Sequence, residues 1–310
     1  MIKYFHVFGN SSVRQLKKFS KNCWIDVTNP SEDDKTIIIK KFPFINDILA
    51  DLLDADEQSR IDKEKKYTLI ILRVPVYNND AEVPFFTIPL GVILLNECVL
   101  TISLHDNIVL KDVRENRVRN YEIKNKSMLL LLFFMRASVN YLLYLKRINR
   151  FTSGIEKDLR KSIRNNELYE LLTYEKSLVY FTTSLKSNEL LLEKLHKGFF
   201  LRLGEIEMEL VEDTITENKQ AIEMSIIYSN ILSGMMDAFA SIISNNLNEV
   251  MKKLTTISLV LMIPTLIASV YGMNVHLPLQ ENPFAFWIVI VGSALISLGS
   301  ILVFIKKKFF

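Results

Sequence analysis

The chain has 310 residues, of which 49% are hydrophobic and 24% are charged. This length accommodates a soluble domain of about 200 residues together with a membrane part. The 38 basic and 35 acidic residues nearly balance, so the charge indicates neither a nucleic-acid-binding surface nor an acidic tail. The two cysteines, Cys23 and Cys98, lie far apart in sequence, which argues against a disulfide framework or a structural zinc site and suits a reducing cytoplasm.

Residues 1–106 are predicted to form an α/β region. Apolar and β-branched residues concentrate at positions 24–27, 67–77, 91–95 and 98–104, and the alternating pattern of residues 1–10 indicates a further strand rather than a cleaved signal peptide. Within this region Asn29 is predicted to cap a helix, with Pro30 at its first position and Glu32 at its third. Mixed strands and helices predict a cytoplasmic α/β domain.

Residues 107–204 are predicted to complete this domain as a helical hairpin, because they contain no proline and few glycines. The run 128–135 is strongly apolar, but charged residues bound it at about 12 Å of helix, so we expect a buried core helix rather than a membrane span. A later apolar stripe, at alternating steps of three and four, predicts a helix face inside the domain: Leu171, Tyr174, Leu178, Phe181, Leu185, Leu192 and Leu195.

Two segments near the C-terminus are long and apolar enough to span a membrane. Residues 254–280 and 282–305 carry no formal charge, and glycine and prolines between them oppose a continuous helix. Lysines precede the first segment and follow the second, so the positive-inside rule predicts that both termini are cytoplasmic. We predict a stalk helix at 205–253, a first span at 254–272, an external loop at 273–283, a second span at 284–305 and a basic tail at 306–310.

One face of the first span is mildly polar. Its members recur at steps of three and four and predict a pore lining: Asn248, Met251, Thr255, Ser258, Met262, Thr265 and Ser269. The face has no carboxylate, which would hold a divalent cation too tightly for conduction, and Met251, Leu254 and Met262 could close a pore by dewetting. Each serine or threonine taken alone could equally serve helix packing.

Residues 248–274, NEVMKKLTTISLVLMIPTLIASVYGMN, resemble the first transmembrane helix of the CorA family of magnesium and cobalt channels. The family's Gly-Met-Asn signature matches Gly272, Met273 and Asn274, with Tyr271 before it as a supporting residue. The segments 24–34 and 49–75 and the lysine-rich tail also resemble the family. The resemblance implies a mainly α membrane protein with an N-terminal α/β/α cytoplasmic domain, a long helical stalk and a C-terminal two-helix hairpin, assembled as a funnel-shaped homopentamer.

The resemblance also implies roles for individual residues. It assigns pore-lining positions to Asn248, Met251, Leu254, Met262, Thr265 and Asn274. It matches Asp213 to an intersubunit regulatory cation site, whose partner residue we only guess to be Asp80 or Glu82. Mg²⁺ would be both the transported and the regulatory ion, with Co²⁺ or Ni²⁺ as further substrates, and the channel would be gated by intracellular divalent ions.

The chemistry of magnesium suits these residues. Mg²⁺ releases its water reluctantly, so a fast pathway should contact the hydration shell with neutral oxygen atoms. A symmetric ring of Asn274 amides, with backbone carbonyls near Gly272, could accept hydrogen bonds from ion-bound water. Gly272 is expected to allow a backbone turn where a side chain would clash.

The external loop departs from the pattern of many relatives, which continue with Met-Pro-Glu. Here the acidic residue comes later, at Glu281, where it is expected to attract cations to the outer entrance. His276 could bind a softer metal, although a lone loop histidine is more often an interfacial side chain.

Alternative functions are a zinc-transporting member of the same superfamily and a membrane-anchored sensor or scaffold without transport. Met273 argues against the first, and the polar face with Asn274 argues against the second. An enzyme is not expected, because no P-loop, GxSxG or HExxH motif occurs and the four histidines are scattered. We therefore predict an integral protein of the cytoplasmic membrane whose partners are lipid, divalent cations and copies of itself, with no nucleic acid.

Overall fold

A computed structural model of the chain describes residues 1–9, 13–117, 121–159, 165–198, 200–275, 277–278 and 282–306. The chain divides into two compact units, Met1–Met235 and Met236–Phe310. The first unit contains the strands β1 (Ile2–His6), β2 (Arg14–Leu16), β3 (Cys23–Thr28), β4 (Arg60–Lys63), β5 (Tyr67–Tyr77), β6 (Phe85–Leu95) and β7 (Cys98–Ser103). The helices are α1 (Glu32–Lys41), α2 (Ile45–Leu52), α3 (Ile108–Arg114), α4 (Lys126–Leu159), α5 (Asn165–His196), α6 (Glu205–Tyr271) and α7 (Ala285–Lys306). The unit boundary falls within α6.

The strands form one sheet of seven in the order β2-β1-β3-β7-β6-β5-β4. Strands β3 and β7 are parallel, with Cys23 opposite Cys98, while β6 is antiparallel to both β5 and β7. Alternate residues of β3 face opposite sides of the sheet. Ile25 joins a buried cluster with helices α1 and α2, and Trp24 packs against Phe133 of α4 with ring centroids 5.4 Å apart. The sheet is therefore covered by helices on both faces, and the prediction of a soluble α/β domain with long helices is confirmed.

The start of helix α1 differs from the prediction. The N-cap is Ser31, whose side chain accepts a hydrogen bond from the Asp34 amide at 3.2 Å, while the Asp34 carboxylate accepts one from the Ser31 amide at 3.1 Å. Asn29 instead adopts a left-handed conformation with φ of 46°, and Glu32 is the first helical residue. The prediction of an Asn29 cap was wrong, because Ser31 and Asp34 form a reciprocal capping box that satisfies two backbone amides.

Helices α4 and α5 provide the apolar cover on one face of the sheet. Residues 128–134 of α4 are buried, as the sequence analysis predicted for this run. The stripe on α5 is also directed inward, since Leu171, Leu178, Phe181 and Leu185 are buried and Tyr174 is half-buried. Three helices in the described part of the chain are long and apolar enough to cross a membrane. In the one at Lys126–Lys157, 72% of the apolar stretch is buried within the protein.

A buried side-chain amide takes the place of a neighbouring strand on β5, just before β4 begins at Arg60. The Asn188 side chain of α5 accepts a hydrogen bond from the Arg73 amide at 3.0 Å and donates one to the Arg73 carbonyl at 2.7 Å. Asn188 is 2% exposed, so its amide needs partners within the protein. The Tyr141 hydroxyl also donates to the Arg73 carbonyl at 3.1 Å, and the Ser59 hydroxyl also donates to the Asn188 amide oxygen at 3.1 Å. One amide thus replaces the missing neighbouring strand at this position.

Candidate functional site

In the second unit, one face of α6 packs against α7. Thr256 is 3% exposed, and Val260, Ile263, Pro264 and Ile267, at steps of three and four along the same face, are half-buried. From α7, Ser297 is 8% exposed and its hydroxyl donates to the Val260 carbonyl at 3.4 Å. This contact fixes which side of α6 faces its neighbouring helix, and sequence reasoning missed both Thr256 and Ser297. The sequence signal for a contact at this point is Pro264, a proline inside an apolar helix.

Most of the predicted pore-lining residues lie on the side of α6 opposite Thr256. At about 100° per residue, Ser258, Met262 and Thr265 lie about 180–240° around the helix from Thr256. All the predicted positions on this face are exposed in the isolated chain: Asn248, Met251, Leu254, Thr255, Ser258, Met262, Thr265 and Ser269. We call this set the polar stripe. The pairing of α6 with α7 therefore leaves the side chains of the polar stripe exposed.

Hydroxyl groups of the polar stripe already donate hydrogen bonds within their own helix. The Ser258 hydroxyl donates to the Leu254 carbonyl at 2.9 Å, and the Thr265 hydroxyl donates to the Leu261 carbonyl at 2.8 Å. Their oxygen lone pairs remain available as acceptors. Neutral acceptors on an exposed helix face are suited to contact with water bound to a cation.

Helix α6 ends at Tyr271, directly before the Gly-Met-Asn triplet. The Gly272 amide donates to the Ala268 carbonyl at 3.0 Å and the Met273 amide donates to the Val270 carbonyl at 3.2 Å, so the last turn closes tightly. Met273 and Asn274 are exposed. The Tyr271 hydroxyl donates to the Pro278 carbonyl at 3.4 Å, which ties the helix end to the loop.

The expectation that Gly272 avoids a clash is wrong for the single chain. Its φ is not positive, and an added Cβ would lie 3.4 Å from the Ala268 carbonyl oxygen and 3.5 Å from that of Ser269. These are ordinary contact distances, so backbone conformation within one chain does not require glycine here. Glu281 and His276, predicted at the outer entrance, lie outside the described residues.

Charged residues precede the apolar part of α6. The Lys253 ammonium lies 2.7 Å from a carboxylate oxygen of Glu249, one helical turn away, and both side chains are exposed. The hydrogen bond from Lys253 lowers the pKa of Glu249. Lys252 is exposed beside this pair. The exposed location means that solvent screens the ion pair, so it contributes little to stability.

Asp213, the predicted regulatory residue, is exposed on the part of α6 in the first unit. It accepts a hydrogen bond from the Tyr121 hydroxyl at 3.4 Å, and burial together with this carboxylate raises the pKa of Tyr121. Of the two guessed partners, Glu82 pairs with Lys176 at 3.7 Å and Asp80 is exposed. The described residues contain no group of three or more His, Cys, Asp or Glu side chains that could hold a metal ion. A site at Asp213 with three or more such ligands would therefore have to include residues of another subunit.

An α/β domain followed in sequence by two long, exposed apolar helices is the architecture of an integral membrane protein with a soluble domain. The sequence profile of the family described as "CorA-like Mg2+ transporter protein" matches residues 19–307. The chain belongs to this family, whose members are divalent cation transporters.

Individual relatives agree with this assignment. A cobalt/magnesium transport protein CorA from Methanocaldococcus jannaschii is 29% identical over 280 residues, covering 86% of this chain and 84% of that protein. A cobalt/magnesium transport protein CorA from Thermotoga maritima is 24% identical over 315 residues, covering 99% of this chain and 90% of that protein.

Solved structures extend the similarity to the whole chain. The complete structure of the CorA magnesium transporter from Methanocaldococcus jannaschii superposes with a TM-score of 0.83 at 25% identity, covering 100% of this chain and 99% of that one. The full-length CmaX protein superposes with a TM-score of 0.70 at 16% identity, covering 99% of this chain and 97% of that one, and shares the fold alone.

Proposed function

We propose that the chain forms a homopentameric channel in the cytoplasmic membrane that admits hydrated Mg²⁺, and also Co²⁺ or Ni²⁺, into the cytoplasm. The observation that supports this most strongly is the polar stripe on α6, which lies opposite the α7 contact and is exposed along its length. The Ser258 and Thr265 hydroxyls already donate within α6, but hydrocarbon offers no donor to their oxygen lone pairs, so a stripe of such groups favours a site that faces water or protein. Symmetric copies of α6 around one axis would supply both.

The proposed pore excludes carboxylates from its membrane part. Ser258 and Thr265 would contact water held by the ion, while Met251, Leu254 and Met262 would form apolar constrictions that close by dewetting. Weak, repeated contacts with neutral oxygens suit rapid passage of a cation that keeps its water. This arrangement favours conduction over tight binding.

The proposed selectivity filter consists of Gly272, Met273 and Asn274, with Tyr271 as support. Asn274 is exposed just beyond the end of α6, so in a ring of subunits its amide oxygens could accept hydrogen bonds from ion-bound water. Since one chain alone does not require glycine at position 272, close approach of a neighbouring subunit or of the hydrated ion is the proposed reason for it. Glu281 would attract cations toward this mouth.

Regulation is proposed to depend on cytoplasmic divalent ions at Asp213. Its carboxylate is exposed, and the described residues contain no group of three or more His, Cys, Asp or Glu side chains that could hold a metal ion, so ligands from an adjacent subunit are proposed to complete the site. Bound ions would screen facing carboxylates and hold the ring closed, and their loss would let repulsion favour opening. Lysines at both cytoplasmic ends of the two helices support the proposed orientation, with both termini inside.

Flux into liposomes tests this function. Purified protein is reconstituted around an entrapped Mg²⁺ indicator, and the wild type is compared with Asn274→Ala and with Asn246→Ala, which removes an asparagine of α6 outside the polar stripe. We expect Asn274→Ala to abolish divalent uptake without changing the oligomer seen by size exclusion, and Asn246→Ala to conduct normally.

Two outcomes would contradict the proposal. Normal Mg²⁺ uptake by Asn274→Ala would overturn the assignment of the filter. Uptake of Zn²⁺ but not Mg²⁺, dependent on a proton gradient, would favour the zinc-transporting alternative.

A further inference from the structure

Pro264 interrupts the hydrogen bonding of α6 within its apolar part. Proline has no amide hydrogen, so the carbonyl of Val260, four residues earlier, loses the donor that a regular helix would supply. Water is scarce in a membrane interior, and an unsatisfied carbonyl there is costly. The Val260 carbonyl therefore needs a donor from elsewhere.

Ser297 of α7 provides that donor. Its hydroxyl lies 3.4 Å from the Val260 carbonyl oxygen, and the side chain is 8% exposed. Two other serines of α7 donate within their own helix, Ser293 to the Ile290 carbonyl at 2.8 Å and Ser300 to the Ile296 carbonyl at 3.0 Å. Ser297 thus differs from both in directing its hydroxyl to the neighbouring helix.

We propose that Ser297 is a positioning residue for the ion pathway, which replaces the amide hydrogen that Pro264 lacks and holds α6 against α7 at this proline. Prolines are a common cause of helix bends. Ser258 precedes Pro264 and Thr265 follows it, both on the polar stripe. The alignment of the two halves of the stripe therefore depends on a contact made by the helix outside the pore. The effect on ion flux rests on the proposed function, in which the polar stripe lines the ion pathway.

A double-mutant cycle tests the inference in reconstituted full-length protein. The four proteins are wild type, Ser297→Ala, Pro264→Ala and the double variant. We expect Ser297→Ala to lower Mg²⁺ flux about threefold, the size of effect typical of one hydrogen bond between membrane helices. In the Pro264→Ala background the same change should have no effect, because the new amide at position 264 donates to Val260.

Two further variants separate positioning from general packing. Ser297→Thr keeps a hydroxyl group and should retain wild-type flux. Ser300→Ala removes a hydroxyl that bonds within α7 and should also leave the flux unchanged. A loss of flux in Ser300→Ala equal to that in Ser297→Ala, or no recovery with threonine, would contradict the proposal.

Thermal denaturation of the same purified proteins gives a measurement independent of transport. Ser297→Ala should lower the midpoint when residue 264 is proline and leave it unchanged when residue 264 is alanine. If this coupling is found but no protein conducts, the proposed function fails while the role of Ser297 in holding α6 against α7 at Pro264 stands. If Ser297→Ala has equal effects in both backgrounds, the inference is overturned whether or not the protein transports ions.

Discussion

Helix α4 and the C-terminal part of α6 are both long and apolar enough to cross a membrane, but their surroundings differ. The apolar segment of α4 is 72% buried within the protein, whereas that of α6 is 6% buried. Apolar length alone therefore does not distinguish a core helix from a membrane helix. Burial by the rest of the chain does, since α4 is covered by its own domain and α6 needs lipid or other subunits.

Polar side chains on the two helices show the same contrast. Asn140 of α4 is 2% exposed and donates to the buried Asp112 carboxylate at 2.9 Å. Ser258 and Thr265 of α6 are exposed and donate only to carbonyls of their own helix among the described residues. A buried polar group with a fixed partner specifies packing, and an exposed row of polar groups on an apolar helix indicates contact with water.

The largest expected effect is that of a charge in the core of α4. Leu131 is 0% exposed, so Leu131→Asp would bury a carboxylate without a partner. The change should lower the free energy of unfolding by about 4 kcal/mol or more. We expect loss of folded protein, measured by yield after size exclusion and by thermal denaturation. The control is Leu143→Asp on the same helix, where the wild-type side chain is 53% exposed and the change should be tolerated. Equal stability of both variants would show that α4 is not the core helix described above.

A smaller effect is expected from removing single polar groups. Asn140→Leu should lower the free energy of unfolding by about 1–3 kcal/mol, because the buried Asp112 carboxylate loses a hydrogen-bond donor. Ser258→Ala should change stability by less than about 0.5 kcal/mol, because its hydroxyl bonds only within its own helix. Denaturation midpoints measure both. A larger loss in Ser258→Ala than in Asn140→Leu would remove the distinction between the two helices.

Much of the soluble fold was predictable from local sequence patterns. The apolar runs at 24–27 and 67–77 correspond to β3 and β5, and the short apolar run in α4 is buried as expected. The cap of α1 was misplaced because Asn29 and Ser31 are both good capping residues, and only the reciprocal bond with Asp34 distinguishes them. The Asn188 contact with β5 was not predictable, since its partner Arg73 is distant in sequence.

For the candidate site, the face of the helix was predictable from the sequence, and the contacts between helices were not. Spacing alone placed the polar stripe on one face of α6, because helical periodicity is a local property. Pro264 signals in the sequence that the Val260 carbonyl lacks its helical donor. That Ser297 supplies the donor depends on how two helices pack, which their sequences do not specify. The filter and regulatory roles of Asn274 and Asp213 stay predictions, because both would depend on residues that other subunits contribute.

Chemical accessibility of the polar stripe is the most direct test of the central claim. Single cysteines at Ser258 and Thr265 are compared with cysteines at Ile257, exposed beside the stripe, and Ile267, on the face toward α7. Cys23 and Cys98 are buried, and burial raises the pKa of Cys98 to about 12, so the native thiols should react little.

The reagent is a membrane-impermeant, cationic methanethiosulfonate added during Mg²⁺ flux into liposomes. We expect it to block flux through the proteins with cysteine at positions 258 and 265 and to leave those modified at 257 and 267 conducting. Block at 257 or 267 without block at 258 and 265 would show that the polar stripe does not line the ion pathway.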